Sequence, residues 1–95
     1  MVQVTFIGAL RALFNKRSDE IELPTAYTIG DLISALTAKY GEIVEYHLLD
    51  ADGRFRQNVV ILADGVRVDL QEGLSKQLTG STKTELVVME AIGGG

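Results

Sequence analysis

The chain has 95 residues, 46% of them apolar and 23% charged, with a formal net charge of -4, which suits one compact domain around a single core. It has no basic run to track phosphates and no apolar stretch near the roughly 20 residues of a membrane span. The opening Met1-Val2-Gln3-Val4 has no charged head and long apolar centre, so nucleic acid, membrane and a secretory leader are all argued against and the cytoplasm is expected. Without cysteine there can be no disulfide, no thiolate metal site and no cysteine nucleophile.

Val2, Val4 and Phe6 alternate with Gln3, Thr5 and Ile7, which predicts a first strand with one buried face. A polar connection, Asn15-Lys16-Arg17-Ser18-Asp19, leads to a second strand in which Ile21 and Leu23 alternate with Glu20 and Glu22 before Pro24 closes it. Thr28 is a good helix N-cap, and Asp31 stands where a capping-box acid belongs. Ile29, Leu32, Ile33, Leu36 and Tyr40 keep helical spacing up to Gly41, a plausible stop, and this is the one main helix expected. Asp52-Gly53 and Asp64-Gly65 are tight-turn pairs with a short buried strand, Val59-Val60-Ile61-Leu62, between them. Val66, Val68 and Leu70 alternate with Arg67 and Asp69 on the return, and Leu74 to Leu78 suits one helical turn. The last strand, Leu86-Val87-Val88-Met89, runs toward Gly93-Gly94-Gly95. The expected class is therefore α+β, with one helix covering one face of a mixed sheet of four to five strands. Residues 1–90 make the domain and residues 91–95 a flexible tail.

Three terminal glycines carry two readings. They are an inert end, or they are a thin arm that threads a narrow channel and presents its α-carboxylate to a remote active site.

The order of elements and the terminal diglycine resemble the ubiquitin-like β-grasp fold, and within it the MoaD/ThiS-like sulfur carriers. Val4-Thr5-Phe6-Ile7-Gly8-Ala9-Leu10-Arg11 resembles that family's opening strand and Leu-Arg turn. Thr28-Ile29-Gly30-Asp31-Leu32-Ile33 and Lys39-Tyr40-Gly41 resemble its helix start and end. Asn58-Val59-Val60-Ile61-Leu62-Ala63-Asp64-Gly65 resembles its central strand and turn, and Gly73-Leu74 with Leu78 the segment before its last strand. The longer stretch over residues 42–57 is most similar to archaeal-type members and small archaeal modifiers. The chain departs at its end, where Glu90-Ala91-Ile92-Gly93-Gly94-Gly95 lacks the family's two prolines and has Gly93 in place of alanine.

The resemblance implies a carrier or modifier, not an enzyme. An activating, ubiquitin-activating-like partner adenylates the carboxylate of Gly95. The acyl-adenylate then takes sulfur to become a thiocarboxylate, as in molybdopterin synthesis, or takes a lysine amine to become an isopeptide. ATP and Mg²⁺ belong to that partner and no cofactor to this chain. The large subunit of molybdopterin synthase is a further implied partner, and the free chain is expected to be a monomer. Gly94 and Gly93 serve as the access arm. A third class, an interaction domain with incidental glycines, stays open.

Strand phase places Ile7, Val87 and Met89 on the outer face of the sheet, where they form an apolar docking patch next to the tail. Arg11 is either a partner contact, from its match to the Leu-Arg position, or an exposed turn arginine. His47, with Asp50 and Asp52 nearby, is too poor a ligand set for a metal and reads as a surface or helix-end residue. Asp19, Glu20 and Glu22 read as water-facing, and Tyr27, Tyr40 and Tyr46 as packing residues with wet hydroxyls. No catalytic triad, phosphate loop or catalytic carboxylate pair can be assembled.

Overall fold

A computed structural model describes residues 1–78, 80 and 82–89. The tail expected over residues 91–95, with Gly93, Gly94 and Gly95, lies outside them. Strand β1 (Val2–Gly8) leads into a short helix α1 (Ala9–Phe14) and then β2 (Ser18–Ile21). The main helix α2 (Ile29–Tyr40) and a six-residue α3 (Ile43–Leu48) follow. Strands β3 (Val59–Ala63) and β4 (Val66–Arg67), a 3-10 segment (Leu70–Ser75) and β5 (Lys83–Val88) complete the chain. The sheet order is β2-β1-β5-β3-β4, with β1 and β5 parallel and the other pairs antiparallel. This is the mixed β-grasp sheet that the resemblance implied, with all five strands present.

Helix α2 begins as its sequence predicts. The Thr28 hydroxyl accepts the Asp31 backbone N–H at 3.1 Å, and the Asp31 carboxylate accepts the Thr28 N–H at 2.9 Å. This reciprocal cap satisfies two donors that the first turn leaves open. At the far end Gly41 adopts φ 94°, and its N–H returns to the Thr37 carbonyl. Ile29, Leu32, Ile33 and Leu36 point into the core against Val2, Val4, Phe6, Ile61, Leu86 and Val88 from the sheet. The alternation that fixes those strand phases buries one face and leaves Gln3, Ile7, Val60 and Val87 on the other.

Several expectations are corrected. The residues after Gly8 form a helix, so Arg11 sits on α1 and not on a turn. Phe14 stacks on Tyr40 with centroids 4.2 Å apart and meets Phe6 edge-on at 5.0 Å, and these contacts hold α1 against the end of α2. The second strand ends at Ile21, leaving Leu23 beyond it, and the return strand β4 keeps only Val66 and Arg67. The predicted helical turn lies earlier, at Leu70–Ser75.

Asp19 does not face water. Its carboxylate accepts the Tyr40 hydroxyl, pairs with Lys39 and has Lys16 at 3.7 Å. Lys39 first, then Tyr40, hold the Asp19 carboxyl down at about 2 from an ordinary 3.8. The Tyr40 phenol is pushed up to about 12, by burial first and then by its bond to Asp19. Tyr27 is also corrected: it is 1% exposed, and its hydroxyl lies 3.4 Å from that of the buried Thr84. This contact, from the segment before α2 to β5, satisfies polar groups that burial would otherwise penalise.

Candidate partner-docking surface

Ile7 and Val87 are direct neighbours across the parallel β1–β5 pair, and Val60 faces Val87 across the antiparallel β3–β5 pair. Three strands thus lay Ile7, Val87 and Val60 in one row on the face opposite α2. Met89 follows β5 and is 49% exposed, while Ile7 is 38% exposed. The structure brings together the three apolar residues that strand phase had placed outside, and adds Val60. Leu13, 49% exposed on the helix packed against β5, adds apolar surface near the same end.

The place where the chain leaves the sheet is fixed. The Met89 N–H donates to the Asn58 carbonyl at 2.9 Å, and the Asn58 side-chain amide donates to the Met89 carbonyl at 2.7 Å. Asn58 therefore holds both backbone groups of the last described residue. On the other side of β5, Gly8 pairs in register with Val88. Its φ is +83°, and a Cβ there would stand 2.0 Å from the Val88 carbonyl oxygen. Only glycine allows that close approach. The two contacts fix the backbone at Val88 and Met89.

Arg11 is exposed in the last turn of α1 and has no ion pair among the described residues. His47 is half-buried at the end of α3, edge-on to Tyr46 at 5.4 Å. Among the described residues no group of three or more His, Asp or Glu side chains could hold a metal ion, and no helix is long and apolar enough to cross a membrane. An apolar row beside a fixed exit point can seat a partner and aim the chain end into it.

Comparison with known proteins agrees with this geometry. Haloferax volcanii SAMP1 superposes with a TM-score of 0.74 at 16% identity, covering 97% of this chain and 98% of that one. Mycobacterium tuberculosis CysO gives 0.74 at 24% identity, over 95% and 100% of the two chains. A chain of the Amycolatopsis orientalis BexX/CysO complex gives 0.73 at 16% identity, over 98% and 100%. At such identities the likeness shows a shared fold. No curated protein matches. The sequence model of the ThiS family matches residues 4–95, from within β1 through the terminal glycines. Small carriers of this kind are in general not themselves enzymes. The chain belongs to the ThiS family, a group of ubiquitin-like sulfur carriers and modifiers.

Proposed function

We propose that this protein is a sulfur carrier whose C-terminal Gly95 is activated by a separate adenylating enzyme and converted to a thiocarboxylate, as in molybdopterin synthesis. The observation that carries the reading is the ThiS-family match running through residue 95, on a domain whose apolar row of Ile7, Val87 and Val60 lies beside Met89, the last described residue. A carboxylate is a poor electrophile. Attack of its oxygen on the α-phosphorus of ATP expels pyrophosphate and leaves an acyl-adenylate. A sulfur nucleophile such as hydrosulfide then displaces AMP. ATP and Mg²⁺ are held by the partner, and this chain supplies recognition and reach.

In this reading Ile7, Val87 and Met89 seat the activating enzyme, and Arg11 contacts its rim. Gly93, Gly94 and Gly95 carry no Cβ, so they suit a narrow channel. Ordering each costs roughly 1–2 kcal/mol of backbone entropy, which docking of the apolar row offsets. A free monomer in the cytoplasm, meeting the large subunit of molybdopterin synthase after activation, completes the proposal. A second reading, conjugation of Gly95 to lysines of target proteins, is favoured by the likeness to SAMP1, a small archaeal modifier protein. Incubation with a cognate adenylating enzyme, ATP and Mg²⁺ tests both. Pyrophosphate release is expected from the intact chain and not from one lacking Gly94 and Gly95. Release that persists without residues 93–95 would sink carrier and modifier together.

A further inference from the structure

Beyond the apolar row, the most distinctive surface is basic. The chain is acidic overall, and several of its cations are occupied: Lys16 and Lys39 by Asp19, and Lys76 by Glu72 at 3.7 Å. Arg54, Arg56 and Arg67 are different. All three line one open groove of about 630 Å³ between the loop before β3 and strand β4. Asp69 is the one carboxylate in that lining, and it is engaged by the Gln71 backbone N–H at 2.9 Å. The side chains of Arg54 and Arg67 have no hydrogen-bond or ion-pair partner among the described residues. Arg56 is held in place: its Nε–H donates to the Tyr46 carbonyl at 3.0 Å, and its guanidinium lies 5.6 Å above the Tyr46 ring. Phe55 and Leu70 give the groove an apolar component.

Arg67 belongs both to the groove lining and, by register, to the sheet face that carries the docking row. Arg67 is the register partner of Leu62, and Leu62 of Glu85, two residues from Val87 along β5. A body seated over Ile7, Val87 and Val60 therefore extends over Arg67 at the β4 edge. We infer that the groove receives an acidic, extended segment of the activating partner, with Asp or Glu carboxylates against Arg54 and Arg67. The inference rests on the outer-face docking proposed above and names the chemistry of that partner's second contact. Two features favour a peptide over a small oxyanion. The two arginines come from separate segments of the groove lining, and Phe55 and Leu70 give that lining apolar surface. Arginine forks match carboxylates bidentately.

The test has two arms. In the first, the ¹⁵N-labelled chain is titrated with a blocked peptide of alternating glutamate and alanine. Saturable shifts are expected at amides 53–57 and 66–70, weakened about tenfold in an Arg54→Gln/Arg67→Gln variant and suppressed by salt near 0.3 M. No shift, shifts elsewhere, or an unaffected variant would overturn the inference. Inorganic phosphate or single-stranded DNA moving the same amides at lower concentration would overturn it too. In the second arm the same variant should raise the KM for adenylation about tenfold while kcat holds, a rim-charge effect. If Met89→Glu impairs activation but the arginine variant does not, the groove inference alone fails. If neither does, the outer-face reading itself has failed.

Discussion

Gly8 is the sharpest stability test, because one methyl group should disturb the junction on which the proposed function depends. Gly8→Ala adds a Cβ 2.0 Å from the Val88 carbonyl oxygen, where ordinary contact begins at 3.4 Å. The obstacle is backbone within the β1–β5 pair, so no side chain can swing away. The φ of +83° adds a second cost, since a residue with a Cβ rarely adopts it. Strain of this kind costs about 1–3 kcal/mol and overpacking about 1–3 kcal/mol more, giving about 2–6 kcal/mol together. For a domain of this size each kcal/mol lowers the melting midpoint by roughly 4–8 °C. Gly65→Ala is the matched control. Its φ is also +83°, but nothing lies within 4 Å of the added Cβ, so it bears the strain alone. Urea and thermal unfolding of both variants would separate the terms. A Gly8→Ala variant no less stable than Gly65→Ala would refute the close approach of β1 to Val88 and the exit geometry built on it.

Other outcomes follow from the same fold. Leu36→Ala removes a fully buried side chain of α2 and should cost about 2–5 kcal/mol in urea unfolding, with the outer face intact. The depressed Asp19 carboxyl stabilises the fold above the unfolded value of 3.8, and that contribution is lost as pH falls toward 2. Lys39 is 48% exposed, so screening leaves about 1 kcal/mol, and Asp19→Asn should flatten the acid limb of a stability-against-pH curve. The raised Tyr40 phenol works at the other end: its contribution is complete below pH 10 and lost as pH rises toward 12, and Tyr40→Phe should remove that slope. Met89→Glu should leave the melting midpoint nearly unchanged while weakening activation, whereas an unfolded variant would place Met89 in the core.

Where the sequence carried strict alternation or a reciprocal cap, the fold was legible. Val2, Val4 and Phe6 marked the buried face of β1, Leu86 and Val88 that of β5, and Thr28 with Asp31 marked the start of α2. With those phases and the neighbouring of first and last strands, Ile7, Val87 and Met89 could be placed on one face. Helices α1 and α3 were not legible, because six residues are too few to show a 3.6-residue period. Val60 was hidden for a related reason: a continuous Val-Val-Ile-Leu run has no phase of its own. Its orientation follows only from register with β5, which the hydrogen bonds between Asp64 and Lys83 help to set. Asp19 looked solvated because alternation records its own strand and not the Lys39 and Tyr40 that α2 brings over it. Tyr27 was misread likewise, since its partner Thr84 is 57 residues away. Arg54, Arg56 and Arg67 are separated by a strand and a turn, and only the fold gathers them along one groove.

The central claim is that Gly95 carries the reacting carboxylate, and mass spectrometry of the C-terminal peptide tests it most directly. After incubation with a cognate adenylating enzyme, ATP, Mg²⁺ and hydrosulfide, the peptide ending in Gly93-Gly94-Gly95 should be heavier by the difference between one sulfur and one oxygen. That shift should be absent when ATP is withheld or when Gly94 and Gly95 are removed. A C-terminal peptide of unchanged mass under conditions in which the enzyme activates its own carrier would contradict the account.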